Sequence, residues 1–480
     1  MIVEHLELVD FRNYWSGTFD LRTGVTVVLG DNGQGKTNLA EALAYLATLS
    51  SFRGAPTEAL IRAGADTAII RATVRDDGGR ESLVEAEITT VGRSRVLVNR
   101  QRLPRIRDLL GTVRVTVFSP DDLRIVKDGP SGRRRFLDDT LVALATKYDA
   151  LRVELDRILR QRNTLLKQAG GHLTEEIETT LDVWDQRFAD VGDRFGHARA
   201  TLVARLSPHV HEAYETLADK PTPLELSYQS TWQAGGLRAA LHESRSDDIR
   251  RGVSTVGPHR DDILIQVNGL PARTHASQGE QRTFTLALRL AAHRLITDRT
   301  GSAPVLVLDD VLSELDETRA TALLDHLPPG QIVITTAGAL PELARPDRVL
   351  RVNSGVVSVG LGSRDGPVRR RRRGDSGDVH HRQLRCVRPG QLDRARFRGG
   401  CRQQPRRPQC ERRLHAAPGP DSGPVHSGFG KQDAGLQGRL TTPGRRRVER
   451  RVVAGERCRS PRLACRPCPT RSRSPRRSMR

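Results

Sequence analysis

Gly30-Asp31-Asn32-Gly33-Gln34-Gly35-Lys36-Thr37 is the stretch that decides how this chain is read. It satisfies G-x-x-x-x-G-K-[ST], the phosphate-binding P-loop. The apolar, β-branched run Val25-Thr26-Val27-Val28-Leu29 precedes it, and the helix-forming segment Asn38 to Leu46 follows. In a strand–loop–helix of this kind, glycines let successive backbone N–H groups face phosphate at the positive end of the helix. Gly30, Asp31, Asn32, Gly33, Gln34 and Gly35 are the expected cradle, Lys36 the group reaching the β- and γ-phosphates, and Thr37 a Mg²⁺ ligand. ATP and Mg²⁺ are the expected cofactors.

Two later stretches complete the chemistry. Val305-Leu306-Val307-Leu308 is a second apolar run, ending in Asp309-Asp310. A buried strand there places Asp309 beside the P-loop, where it can hold Mg²⁺ through water, and leaves Asp310 to orient or deprotonate the attacking water. Apolar strands often end in Asp at a turn, so the pair gains its meaning from the P-loop and from Ser313-Glu314-Leu315-Asp316 just after it. Ser277-Gln278-Gly279-Glu280-Gln281 precedes a helix expected over 282–296. Ser277 with Glu280 forms a capping box, and such an N-terminus also suits a γ-phosphate. Ser277, Gly279 and Gln281 are the candidate nucleotide contacts from this stretch.

Charge divides the chain. Residues 1–363 carry 45 Lys+Arg and 48 Asp+Glu, whereas 364–480 carry 33 against 9. All six cysteines, from Cys386 to Cys468, lie in the second part, with 32 of its 33 basic residues Arg. That part is too poor in large apolar residues to offset chain entropy and is expected to be disordered. Three readings of it stand side by side: a basic tail that binds nucleic acid, a zinc site at Cys465-Arg-Pro-Cys468 whose remaining cysteines are wrongly spaced, and high-GC DNA read in a shifted frame. The chain has no run approaching a membrane span and no secretion signal at MIVEHLELVD. No membrane partner and a cytoplasmic location are expected.

The fold class implied is α/β. Val305–Leu308 and Ile332–Ile334 match the run before the P-loop and suggest parallel pairing under helices. Alternation at Val96 and Val98, and at Val113, Val115 and Val117, suggests more exposed strands. Leu137, Leu141, Leu144, Tyr148, Leu151, Leu155 and Ile158 recur at steps of four and three. Beyond Gly170-Gly171 the pattern resumes at Leu173 and runs to Leu202. Two helices of about 33 residues joined by that turn make an antiparallel hairpin about 50 Å long. It is either a projecting arm or a helical subdomain packed on the core. The expected division is a first ATPase lobe over 1–130, a helical arm domain over 131–250, a second lobe over 251–363, and a basic tail over 364–480.

P-loop, S-x-G-x-Q, Asp-Asp and S-x-L-D, in that order, resemble the heads of ABC-type ATPases. The helical insertion resembles the SMC-like branch. Leu8-Val9-Asp10-Phe11-Arg12-Asn13-Tyr14, Phe118-Ser119-Pro120-Asp121-Asp122-Leu123, Arg133-Arg134-Arg135-Phe136-Leu137-Asp138 and Gly257-Pro258-His259-Arg260-Asp261-Asp262 are more closely similar to the bacterial RecF recombination mediators. The resemblance covers about 1–360 and stops at the tail. It implies an ATP-dependent homodimer in which Ser277 and Gly279 of one head close on ATP held by the other. It further implies binding to duplex DNA at single-strand gaps, slow hydrolysis, and RecR and RecO as partners. Two departures stand out: Asp310 replaces the usual Glu, and Thr335-Thr336 stand where a switch His is expected. Other classes considered are a different SMC-like ATPase acting on chromosomes and the ATPase subunit of a transporter. The arginines at 133–135 read equally as a solvated helix start or a DNA contact, and Phe11, Arg12 and Tyr14 as a cap on a sheet edge or, second, a DNA contact.

Overall fold

The described residues are 1–218, 220–338 and 344–360 of a computed structural model, all within one unit, Met1–Gly377. The tail, with its cysteines, lies outside them.

Alternation along the apolar runs organises the head. The central sheet is ordered Val356–Val359, Arg348–Asn353, Gly24–Leu29, Gln331–Thr336, Val305–Asp309, Val115–Phe118. Four of its five pairings are parallel; only the terminal hairpin is antiparallel. Successive residues on a strand face opposite ways. Val28, Val305, Val307 and Val333 therefore enter one core, with the P-loop helix Lys36–Thr48 and an antiparallel sheet. Val27, Leu306, Leu308, Ile332 and Ile334 enter the other, with the helices. Each such side chain taken from water contributes roughly 1.5–3 kcal/mol, and burial on both faces explains the continuous apolar runs.

The antiparallel sheet runs Tyr14–Asp20, Ile2–Phe11, Thr67–Arg75, Glu81–Thr89, Arg95–Val98, Gln101–Arg102. Its alternation of buried and half-exposed positions is that of a sheet covered on one side. Val96 and Val98 sit in this sheet as expected, but Val115 and Val117 do not. Their strand pairs in parallel with Val305–Asp309 as the edge of the central sheet, and Val117 and Phe118 are buried.

The helical insertion differs from the expected pair. Pro130–Leu144 and Lys147–Gln168 are separate helices, because Ala145 takes an extended conformation (φ −162°, ψ 125°). Gly170 and Gly171, both at positive φ, make the expected turn. Glu175–Ala218 then continues well past Leu202, through Pro208. The apolar stripe lies in the helix-side core of the head: Leu137, Leu155, Phe188, Phe195, Leu206 and Tyr214 share one cluster with Phe284, Leu306 and Ile334. Over these residues the segment is a helical subdomain packed on the core. Toward the Gly-Gly turn, Leu166, Ala169, Leu181 and Ile249 form a small cluster of their own.

Candidate nucleotide site

The P-loop sits where the sequence places it, between Gly24–Leu29 and Lys36–Thr48. Gly33 (φ 81°) and Gly35 (φ 122°) adopt backbone angles that L side chains avoid. Asp31, Asn32 and Gly33 are exposed, whereas Lys36 is buried. The Lys36 ammonium folds back and donates to the carbonyls of Gly30 (2.7 Å) and Asp31 (2.9 Å).

Four flanking contacts hold the loop in shape. Asn13 Nδ2 donates to the Gln34 carbonyl (2.8 Å), and the Tyr14 hydroxyl to the Gly35 carbonyl (2.9 Å). Gln34 Oε1 accepts from the Ser354 N–H (2.5 Å), and the Gln34 carbonyl from the Gly355 N–H (3.2 Å). At Gly30 an added Cβ would lie 2.3 Å from the Val352 carbonyl oxygen. Arg12 pairs with the wholly buried Glu41 of the following helix. Phe11 and Tyr14 are fully buried. The 11–14 motif thus buttresses the P-loop rather than capping a free edge.

Asp309 and Asp310 come to the P-loop through the register of the central sheet, which sets Asp309 opposite Thr335. Thr37 Oγ1 donates to Asp309 Oδ1 at 3.1 Å, and Thr335 Oγ1 donates to the same oxygen at 2.6 Å. Burial pushes the Asp309 carboxyl above the usual carboxylate range, opposed by the hydroxyls of Thr335 and Thr37 and the positive charge of Arg53. Asp310 stands at φ 52° and accepts from the Ser313 hydroxyl (2.6 Å).

The signature stretch folds as the capping box. Ser277 Oγ accepts from the Glu280 N–H, and Glu280 Oε2 from the Ser277 N–H (2.8 Å). The helix starts at Gln278, earlier than expected, and runs to Thr300. Ser277 is exposed. Gln281 is not: its amide donates to the carbonyls of Ala272 (3.1 Å) and Ala276 (3.0 Å), shaping the turn before the helix. Gly279 lies under Arg319, whose Nη1 would be 3.1 Å from an added Cβ. Among the described residues no hydrogen bond or ion pair joins Ser277, Gly279 or Gln281 to the P-loop. Thr37 and Asp309 are brought together within the chain, and of the signature residues Ser277 is left exposed while Gly279 is half-buried and Gln281 buried.

The remaining motif residues join the lobes. Arg133 is buried and chelates Asp262 (2.6 and 2.8 Å). Arg199 does the same with Asp138 (2.7 and 2.8 Å) and donates to the Pro258 carbonyl. Neither a solvated helix start nor a DNA contact describes Arg133. Arg135 remains half-exposed and donates to the Ser51 carbonyl.

Residues 2–355 match the family described as RecF/RecN/SMC N terminal domain. The DNA replication and repair protein RecF of Streptomyces avermitilis is 44% identical over 351 residues, covering 70% of this chain and 93% of that protein. RecF of Kineococcus radiotolerans is 42% identical over 369 residues, covering 71% and 94%. Among solved structures, the recombination mediator protein RecF with ATP, of the RecFOR pathway, matches with TM-score 0.69 at 29% identity, covering 74% of this chain and 97% of that one. With the P-loop, the buried Asp309 and the exposed Ser277 in place, the chain belongs to the RecF family of SMC-like ATPases.

Proposed function

We propose that this chain is an ATP-gated DNA clamp of replication and recombinational repair, working as a dimer of heads. Membership of the RecF family supports ATP binding and hydrolysis and a place in DNA replication and repair. The observation that carries the finer reading is the separation of the two halves of the site. Thr37 and Asp309 meet within one chain, while Ser277 and Gly279 stand at a helix start with no P-loop contact, Ser277 exposed and Gly279 half-buried. A second copy supplying that helix start completes the cradle around the γ-phosphate.

The division into a first lobe over 1–130, a helical domain over 131–250 and a second lobe over 251–363 belongs to this reading. In it, Lys36 exchanges its two carbonyl partners for the phosphates, and the N–H groups of the loop from Gly33 to Thr37 bind the same oxygens. The hydroxyl of Thr37 and the buried carboxylate of Asp309 are hard oxygen donors 3.1 Å apart, which fits Mg²⁺. Bound there, Mg²⁺ neutralises phosphate charge. Asp310 orients the attacking water and takes its proton. Its side chain is one methylene shorter than Glu, which suits slow turnover and a timed release of DNA. Duplex beside a single-strand gap is the proposed DNA substrate. The RecFOR assignment of the structural relatives extends the proposal to RecR and RecO as partners.

Sedimentation velocity of the full chain tests this. A monomer–dimer shift with ATP and Mg²⁺ but not ADP, strengthened by gapped duplex, is the expected result. Asp310→Asn is expected to keep that dimer and lose turnover. A chain that stays monomeric with ATP and gapped DNA overturns the clamp.

A further inference from the structure

We infer that Thr335 is a positioning residue for ATP hydrolysis, one hydroxyl that fixes both Asp309 and Asp310. This rests on the hydrolytic site proposed above.

Thr335 is completely buried on Gln331–Thr336 and lies opposite Asp309 in the parallel ladder. A threonine hydroxyl has one proton to donate and lone pairs to accept with. Here the proton goes to Asp309 Oδ1 at 2.6 Å, and a lone pair accepts from the backbone N–H of Asp310 at 3.1 Å. The Asp310 N–H also reaches the Thr335 carbonyl at 3.0 Å. One side chain therefore touches the carboxylate of the first aspartate and the backbone of the second.

Each contact has a separate consequence. Asp309 Oδ1 takes two hydroxyl donors, from Thr37 and Thr335, and Oδ2 takes none among the described residues. In the proposed reaction Thr37 is recruited toward the nucleotide, so Thr335 is the donor that remains to hold the carboxylate rotamer. Asp310 adopts a left-handed conformation (φ 52°) that non-glycine residues enter only when held there. The bond from its N–H to Thr335 Oγ1 is one such restraint; the Ser313 hydroxyl on its carboxylate is another. Rotating Asp310 out of this conformation redirects its carboxylate by ångströms, and small misplacements of a catalytic group have large effects on rate. The strand thus carries at Thr335, within the Thr335-Thr336 pair that stands where a histidine was expected, a device for aiming the carboxylates.

The test compares full-length Thr335→Val, Thr335→Ser and Thr335→Cys with the parent chain. Valine keeps shape and removes the hydroxyl, serine keeps the hydroxyl and loses the methyl, and cysteine loses the methyl and puts a weak S–H donor in place of the hydroxyl. The readouts are kcat and KM for ATP hydrolysis, affinity for a fluorescent ATP analogue in EDTA, and thermal midpoint. Thr335→Val is expected to lose about 10- to 100-fold in kcat, the scale of one buried hydrogen bond to a charged group, with affinity in EDTA within about 2-fold. Serine is expected to restore turnover and cysteine to fall between. The inference is overturned if valine retains parental kcat, if serine falls as far as valine, or if affinity in EDTA falls in parallel with kcat. A parent chain that hydrolyses no ATP overturns the proposed function, and this inference with it; an active parent with an active valine variant overturns this inference alone.

Discussion

Arg12 grips Glu41 at two points, Nε to Oε2 at 2.6 Å and Nη2 to Oε1 at 2.7 Å, across the base of the P-loop helix. Glu41 is wholly buried and also accepts from the Ser51 hydroxyl; Arg12 reaches the Ala59 carbonyl as well. The pair fastens the first hairpin to the helix that follows the P-loop. Removing one partner leaves a buried charge unpaired. Arg12→Ala is therefore expected to destabilise the head by about 3–5 kcal/mol, read as a lower urea midpoint. The double replacement Arg12→Met with Glu41→Met should be much milder, and equal damage from both would count against the pairing argument.

Lys36 is pre-placed by the carbonyls of Gly30 and Asp31. Lys36→Met keeps the stem and loses the charge. A charge-assisted hydrogen bond contributes about 1.5–3 kcal/mol, so ATP affinity should fall about 10- to 100-fold. Equilibrium titration with a fluorescent analogue measures this, and the thermal midpoint of the nucleotide-free chain should change little.

Gly30 is required by a close approach rather than by its backbone angle. A methyl group there would meet the Val352 carbonyl at 2.3 Å, and backbone cannot step aside cheaply. Gly30→Ala is expected to push the hairpin Arg348–Val359 away from the loop, weakening ATP binding and exposing Leu350 and Val352 to hydrogen exchange. Unchanged protection on that hairpin would contradict the prediction.

His293 is buried on the signature helix with neither ring nitrogen partnered among the described residues, and burial lowers its pKa to about 4. Between that value and the ordinary 6.5 the unfolded chain binds the extra proton, so stability falls as the solution is acidified. His259, lowered to about 4 mainly by burial, acts in the same direction. His293→Phe is expected to remove about 2 kcal/mol of the loss between pH 7.5 and pH 5, measured as the difference in urea unfolding free energy at the two values. A variant as acid-sensitive as the parent would show that His293 is not responsible.

Local chemistry and the parallel pairing of the apolar strands were legible in the sequence; most side-chain partners far along the chain were not. The P-loop between strand and helix, the buried strand ending at Asp309, and the Ser277–Glu280 capping box each depend on neighbours within a few residues, and each stands as read. The break at Ala145 carries no glycine or proline, so nothing in the pattern announced it. Three arginines in a row suggest solvent or phosphate, yet Arg133 finds Asp262 across 129 positions. Thr335 looked only like a missing histidine, because its role appears once the ladder register sets it against Asp309. Tyr14 and Asn13 were recognisable as a motif, but the carbonyls they hold lie 21 residues on.

The bond between Gln34 and Ser354 spans 320 residues. A ribosome making this chain emits the P-loop early and the turn that braces it almost at the end of the head. Until residues 354 and 355 emerge, Gln34 lacks two of its partners and the P-loop lacks its last braces. The turn at Ser354–Gly355 is thus among the last-made pieces of the head, and the P-loop takes its full set of partners only once that turn has been synthesised.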